Sequence, residues 1–107
     1  MAVKVGLYVK LVAKPGKEQA VADFIKGALP LAEQEPNTLT WYAVQIDDRT
    51  FAIFDTFPDD AGRDAHLNGP IASALMANAS ELLAEPPKIE KINILAAKQS
   101  KVKSESA

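Results

Sequence analysis

Apolar residues follow the two-residue period of β-strands through the middle of the chain, between residues 39 and 57. Two such runs flank Asp47-Asp48-Arg49, where the short Asp side chains can bond back to nearby backbone and so favour a tight turn. Successive strand residues point to opposite faces of a sheet. In both runs the residues that point to either face are mostly apolar. A hairpin with one face in water would instead alternate apolar with polar residues. Something must therefore cover each side of this hairpin.

The preceding segment predicts a strand and a helix. Residues 3–13 alternate as a strand, which Lys14-Pro15-Gly16 ends because Pro and Gly together interrupt strands. Residues 18–32 carry apolar residues with the 3.6-residue period of an amphipathic helix. Pro30 lies near the end of that helix and is expected to kink or stop it, since proline cannot donate a backbone hydrogen bond.

A second helical region follows the hairpin. Asp59 is its predicted N-cap, because the carboxylate can accept hydrogen bonds from the free N–H groups of the first turn. Gly69-Pro70 interrupts the region, and Pro70 then suits the first position of a further helix. Pro86-Pro87 ends that helix, and residues 88–96 predict a last strand.

The predicted order of elements is β-α-β-β-α-β, with the second helical region in two pieces. Right-handed crossovers place both helical regions on one face of a four-stranded antiparallel sheet, so we predict the α+β class and a ferredoxin-like domain over residues 1–97. Residues 98–107 are polar and aperiodic, which predicts a disordered tail. No chain is left to cover the second apolar face of the sheet. We therefore expect a homodimer, a dimeric α/β barrel in which two sheets pack face to face.

Composition narrows the classes of function. A net charge of −2 over 107 residues argues against a nucleic-acid or anionic-membrane partner, since these favour a basic surface. The chain has no cysteine and a single histidine, which excludes disulfides, a thiolate nucleophile and metal sites built from cysteines or several histidines. No apolar run approaches the ~20 residues of a membrane span, and the N-terminus lacks the apolar core of a signal peptide. A cytoplasmic protein without a metal site is expected.

Five short phrases, in this order and spacing, resemble the antibiotic biosynthesis monooxygenase family of dimeric α/β barrels. They are Pro15-Gly16 before an amphipathic helix, Glu35-Pro36-Asn37-Thr38-Leu39 before a strand, Asp55-Thr56-Phe57 at a strand end, the helical Asp64-Ala65-His66-Leu67, and Pro86-Pro87 before the final strand. The resemblance covers nearly the whole chain. It implies a homodimer that oxidises a small quinol or polycyclic phenol with O₂ and uses no cofactor.

His66 and Asp55 are the candidate catalytic residues. His66 is the only side chain that titrates near neutrality unaided, which suits a general base acting on the phenol or quinol that the resemblance implies. Asp55 is a lone acid in an apolar strand and is suited to accept a proton or to orient His66. The alternatives are a packing or capping role for His66, and an ion pair of Asp55 with Arg63, Lys10 or a lysine of the partner.

Trp41, Phe54 and Phe57 are the candidate substrate-binding residues, because aromatic side chains suit an aromatic ligand. Trp41 and Tyr42 follow each other in one strand, so only one of them can face a given pocket. A place in the core or at the dimer interface is the alternative for each aromatic residue.

Two functions remain open from the sequence. The first is a cofactor-independent monooxygenase, in which the deprotonated substrate reduces O₂ directly while the protein binds it, removes the proton and excludes water. The second is a non-catalytic dimeric barrel that binds a small apolar ligand. Two departures from the family's usual pattern favour the second: Phe57 stands where the family has Trp, and Ile71 where it often has a second His.

Overall fold

The computed structural model describes residues 2–99, which form one four-stranded sheet and four helices. In chain order the elements are β1 Val5–Val12, α1 Glu18–Gly27, α2 Leu29–Glu33, β2 Thr40–Gln45, β3 Thr50–Phe57, α3 Asp60–Leu67, α4 Pro70–Leu82 and β4 Lys88–Asn93. The predicted order is confirmed, with each helical region in two pieces. The predicted tail falls mostly on residues 100–107, which lie outside the described residues.

The sheet has the strand order β2-β3-β1-β4, and every pair is antiparallel. The central pair aligns Leu7 of β1 with Asp55 of β3. Asp55 in turn aligns with Trp41 of β2, and Leu7 with Lys91 of β4. This order is that of the ferredoxin-like fold, in which two crossing β-α-β units interleave their strands. The predicted fold class is therefore confirmed.

Pro30 explains why the first helical region is two helices rather than one. α1 ends at Gly27, and α2 begins at Leu29 with Pro30 in its first turn. In a continuous helix the proline ring would clash with the carbonyl of Lys26 and would leave a hydrogen bond unmade. The break therefore falls just before the proline, at Ala28, and the interruption predicted from Pro30 is confirmed.

The second helical region is built as predicted. The side chain of Asp59 accepts a hydrogen bond from the Gly62 N–H at 2.8 Å and caps α3. Pro70 occupies the first position of α4, where its missing N–H costs nothing. α4 is the longest helix, with 13 residues. Of the helices in residues 2–99, none has the length and apolarity that a membrane crossing requires.

The last strand is shorter than predicted. β4 ends at Asn93, after which the Ile94 N–H still donates to the Lys4 carbonyl oxygen at 3.0 Å. Beyond that point β1 offers no further partner, and Leu95 is 96% exposed. The strand predicted to residue 96 is thus three residues too long.

The core lies between the helices and one face of the sheet, which the odd-numbered residues of β1 and β3 line. Helix residues Val21, Ile25 and Leu75 pack against it. Fully burying a side chain of this size contributes about 1.5–3 kcal/mol, so this face holds the domain together. The buried apolar strand residues of this face are Val5, Leu7, Val9, Leu11, Phe51, Ile53 and Phe57.

The opposite face of the sheet, which we call the open face, carries the even-numbered residues. Tyr42, Val44 and Ile46 are 54%, 40% and 53% exposed there. Tyr42 stacks on Phe54 of the neighbouring strand, with ring centroids 6.4 Å apart. The helices all pack on the other side, so the open face is apolar and wet in the single chain.

Candidate active site

His66, Asp55 and Glu35 meet between the helices and the sheet. Asp55 is an odd-numbered residue of β3 and therefore points at the helices, where it is 1% exposed. His66 lies in the last turn of α3 and is 7% exposed. Glu35 comes from the loop after α2, and its side chain is 19% exposed. Three acid–base groups thus share one largely buried place.

The imidazole of His66 lies between two carboxylates. Its Nδ1 lies 2.7 Å from Glu35 Oε1 in hydrogen-bond geometry. Its Nε2 lies 3.0 Å from Asp55 Oδ2, an ion-pair distance at which the N–H direction is not aligned for a hydrogen bond. Catalytic hydrogen bonds are often poorly aligned before substrate binds, and a 3.0 Å separation is within their range. Both ring nitrogens are therefore occupied.

Burial and the neighbouring carboxylates set the charge of this cluster. Burial raises the pKa of the Asp55 carboxyl, and the contact with His66 offsets this only in part. Burial also disfavours a charged imidazole, but the hydrogen bonds and negative charges of Asp55 and Glu35 outweigh it and raise the pKa of His66 above its ordinary value of 6.5. The two flanking carboxylates therefore favour the protonated imidazole of His66.

Sequence reasoning did not assign a role to Glu35. The Thr38 hydroxyl donates to Glu35 Oε1 at 2.6 Å, so the same oxygen contacts Thr38 and His66. The available signal was the hairpin register: with Trp41 opposite Asp55, the loop before β2 must lie beside the end of β3 and the start of α3. An acid in that loop is placed next to His66.

Asp55 pairs with His66 and not with Arg63, one of the alternatives that the sequence left open. The Arg63 guanidinium bonds the Asp60 carboxylate at 3.1 Å and the carbonyl oxygens of Gly6 and Ile92 at 3.2 and 3.1 Å. Arg63 thus ties α3 to the edge of β1 and β4. This fastening holds the helix that carries His66.

Trp41 and Phe57 lie on the same side of the sheet as the cluster. Phe57 is fully buried and its ring centroid is 5.4 Å from that of His66. Trp41 packs against the core, and its Nε1 is buried without a hydrogen-bond partner among residues 2–99. Phe54, by contrast, lies on the open face with Tyr42. Four of the five predicted site residues are therefore brought together, and Phe54 is not.

Two clefts approach the cluster from the surface. One of about 200 Å³ lies over His66, and the other of about 210 Å³ lies over Trp41. Glu35 and Thr38 line both clefts. Asp55 is buried and lines neither of them.

The described residues offer no ready place for a metal ion. No group of His, Cys, Asp and Glu side chains within residues 2–99 has the arrangement of such a site. Asp47 of the hairpin turn is engaged by the backbone, because its Oδ1 accepts hydrogen bonds from the Arg49 and Thr50 N–H groups at 3.0 and 2.8 Å. This is the turn that the sequence predicted.

Among known proteins, this chain has a relative of high sequence identity and several structures that share its fold at low identity. No protein-family model matches the chain, and the search of curated proteins found no relative. The crystal structure of NE2512, a protein of unknown function from Nitrosomonas europaea, is 56% identical over 92% of this chain and 95% of that one, with a TM-score of 0.89. PA3566 from Pseudomonas aeruginosa is 22% identical over 90% and 98% of the two chains, with a TM-score of 0.78.

A structure titled antibiotic biosynthesis monooxygenase is 16% identical over 86% of this chain and 99% of its own, with a TM-score of 0.74. A structural likeness at 16% identity shows a shared fold. The resemblance inferred from the sequence is therefore confirmed as regards the fold. The chain belongs to the same family as NE2512 of Nitrosomonas europaea, and it has the fold of the antibiotic biosynthesis monooxygenases.

Proposed function

We propose that this protein is a cofactor-independent monooxygenase that oxidises a small quinol or polycyclic phenol with O₂. The observation that carries the proposal is the buried contact between Asp55 and His66, 3.0 Å apart on the helix side of the sheet. Buried acid–base pairs with shifted pKa values are concentrated at functional sites. The fold shared with monooxygenases supports the same reaction class, although fold alone does not decide function.

The chemistry requires little from the protein beyond proton transfer and positioning. The substrate hydroxyl loses its proton to the Asp55–His66 pair, and the resulting electron-rich anion transfers electrons to O₂. A carbon–oxygen bond forms, the ring C–H bond breaks, and water leaves, so one oxygen atom ends in a new carbonyl and the other in water. The substrate supplies all four electrons that reduce O₂. The reaction therefore needs no external reductant.

The named residues have distinct places in this proposal. Asp55 and His66 manage the proton, and Glu35 holds His66 from its other side. Phe57, packed on the His66 ring, and Trp41 wall the site with apolar surface that limits access of water. We expect the activity in the cytoplasm, a location that stays a prediction from the sequence.

We also propose that the protein is a homodimer whose two sheets cover each other's open face. Three large apolar residues of this face are 40% to 54% exposed in the single chain, and Phe54 is half-buried beside them. Monomeric proteins rarely leave such residues contiguous and wet. A second copy presents the same apolar strands, which makes the contact self-complementary. In this arrangement Phe54 lies at the interface.

A non-catalytic binder of a small apolar ligand is the second candidate. It is favoured by a separate cleft of about 320 Å³ between α1, α2 and α4, where Phe24, Leu31 and Ile71 meet. That cleft contains no acid–base pair, so a molecule bound there would not react. Phe57 and Ile71, where the monooxygenase pattern has Trp and often His, favour this candidate as well.

Turnover of a dihydroxynaphthalene in the presence of ¹⁸O₂ tests the proposed reaction. We expect protein-dependent O₂ consumption of one molecule per product, with one labelled oxygen in the product. Asp55→Asn and His66→Gln should each lower the rate by about a hundredfold, since general acid–base catalysis contributes at least that much. The control Asp64→Asn changes an exposed acid of the same helix and should keep the wild-type rate.

Each result distinguishes the candidates. A rate equal to the protein-free background, together with binding of an apolar ligand, would favour the non-catalytic barrel. Wild-type rates in His66→Gln would remove His66 from the mechanism.

A further inference from the structure

Trp41 and Asp55 share an unusual property. Trp41 Nε1 and Asp55 Oδ1 are buried and lack a hydrogen-bond partner among residues 2–99, and Asp55 Oδ2 has only its unaligned contact with His66 Nε2 at 3.0 Å. Only one other buried side-chain atom in that part of the chain, Arg63 Nε, is in the same state. An unpaired buried polar group costs about 1–3 kcal/mol, so folded proteins rarely contain one without a reason. Two residues thus account for three of these four atoms.

The hairpin places these two residues side by side. Trp41 is aligned directly with Asp55 in the antiparallel β2–β3 pair. Residues aligned in this way point to the same face, with their Cβ atoms about 4.5–5.5 Å apart. That face is the one under the helices, because Asp55 contacts His66 there. A free donor and a free acceptor therefore belong to neighbouring side chains that do not bond each other.

We infer that one hydroxyl of an aromatic substrate binds between Trp41 and Asp55, accepting a hydrogen bond from Trp41 Nε1 and donating one to Asp55 Oδ1. The indole N–H can only donate and an ionised carboxylate can only accept. A hydroxyl satisfies both through a single oxygen, whereas a carbonyl or an ether oxygen would satisfy Trp41 alone. The inference rests on the proposed function and deepens it, since it names the substrate group that the site recognises.

This placement also assigns the proton acceptor. Both nitrogens of His66 face carboxylates, so neither is free to take a proton from the substrate. Asp55 takes it instead: the substrate O–H bond breaks and an Oδ1–H bond forms. Trp41 Nε1–H then donates to the phenolate oxygen, which stabilises charge where it develops. The net charge of the buried cluster is unchanged by this step, because a phenolate replaces the Asp55 carboxylate as the negative group.

His66 is in this scheme a positioning residue. It holds Asp55 Oδ2 at 3.0 Å and leaves Oδ1 for the substrate. The aromatic ring of the substrate lies in the cleft over Trp41, which Glu35 and Thr38 also line. Those two residues also line the cleft over His66, and a substrate that reaches Asp55 must displace the Glu35 side chain from its contacts with Thr38 and His66.

Calorimetric binding of 4-nitrophenol and of its methyl ether, 4-nitroanisole, tests the inference. The two probes differ in the hydroxyl group, and neither measurement depends on turnover. We expect the wild-type protein to bind the phenol about tenfold more tightly than the ether, because the ether leaves Asp55 unpaired. Trp41→Phe and Asp55→Asn should each remove most of this preference. The control Tyr42→Phe also deletes one polar atom, but on the open face, and should keep it.

Optical signals of the bound probe give a second measurement. Nitrophenolate absorbs at longer wavelength than nitrophenol, so the absorbance of the bound probe reports its ionisation. We expect a larger anionic fraction when it is bound to the wild-type protein than when it is bound to Asp55→Asn. The chain has a single tryptophan, so quenching of Trp41 fluorescence locates the probe in proteins that retain the indole.

The outcomes separate this inference from the proposed function. Equal affinity of the wild-type protein for the phenol and the ether, or no binding of either, overturns the inference whether or not turnover is seen. An unchanged preference in folded Trp41→Phe also overturns it. A preference that Trp41→Phe and Asp55→Asn both abolish, without any O₂ consumption by the wild type, supports the hydroxyl site and overturns the monooxygenase. If Trp41→Phe does not fold, the ether comparison and Asp55→Asn still decide.

Discussion

Glu35 Oε1 lies 2.7 Å from His66 Nδ1, and this contact joins the loop before β2 to the last turn of α3. The Thr38 hydroxyl donates to the same oxygen at 2.6 Å and keeps the carboxylate in place. The contact directs the Nδ1–H of His66 at Glu35, so the other nitrogen faces Asp55. Glu35 therefore controls both the orientation and the charge of the imidazole.

Replacing Glu35 with Gln should lower the pKa of His66. The change removes one of the two negative charges that hold the proton on the ring, while burial continues to oppose it. Because the chain has a single histidine, the NMR titration of its ring protons reports this pKa without ambiguity. Glu33→Gln, an exposed acid at the end of α2, is the control and should leave the titration unchanged. An unchanged pKa in Glu35→Gln would mean that the contact does not persist in solution.

The free energy of unfolding should fall as the pH rises above 6.5. In the unfolded chain His66 titrates near that value, whereas in the folded state its pKa is raised. Above 6.5 the folded state therefore binds more protons, so the stabilisation is complete below this pH and is lost as the pH rises through the raised pKa. The raised pKa of Asp55 acts in the same direction, beginning from its ordinary 3.8.

Urea unfolding, followed by the fluorescence of the single tryptophan at a series of pH values, measures this dependence. His66→Gln cannot titrate and should show a flatter profile in the same range. The slope with pH is compared, so a general loss of stability in the variant does not affect the test. The same slope in both proteins would contradict the assignment.

Gly6→Ala should destabilise the fold by about 1–3 kcal/mol, as overpacking of a core does. A Cβ at this position would lie 2.8 Å from the carbonyl oxygen of Asp55, and a backbone atom in a paired strand cannot swing away. Gly27→Ala is the matched control, because a Cβ there meets nothing within 4 Å. At the end of α1 it should be neutral or stabilise by up to about 1 kcal/mol. Equal urea midpoints for the Gly6→Ala and wild-type proteins would contradict this packing.

Val44→Asp should weaken or abolish the proposed dimer. Val44 lies on the open face and is 40% exposed, so a buried charge would appear at the interface without a partner. Met76→Asp makes the same kind of change on α4, at a residue 58% exposed on the helical side, and should leave the oligomeric state unchanged. Multi-angle light scattering reads both. If the wild-type protein is a monomer, the proposed dimer is contradicted. If Val44→Asp is still a dimer, the dimer does not form through the open face.

Most of the elements follow from interactions between residues a few positions apart. Asp59 bonds an N–H three residues ahead, and Asp47 bonds those two and three residues ahead, so the sequence was sufficient to predict the cap and the turn. Alternation along β1 and β3 likewise predicts which residues share a face. Pro30 also predicted the interruption of the first helical region, which falls at Ala28. The early end of β4 was missed because it depends on a lost strand partner that periodicity does not contain.

The site is a different matter. The sequence alone determined that Asp55 is an acid within an apolar strand, that His66 follows on a helix, and that the strands form one four-stranded sheet. These features follow from the hydrophobic period and from the order of the elements along the chain. Only the tertiary structure decided that His66 has a carboxylate on each side and that Trp41 Nε1 is buried beside Asp55. The physical reason is that these contacts join three separate parts of the chain: the loop before β2, the last turn of α3 and the centre of the sheet. The distances between these parts depend on how the helices dock on the sheet, and no pattern within a single element contains them.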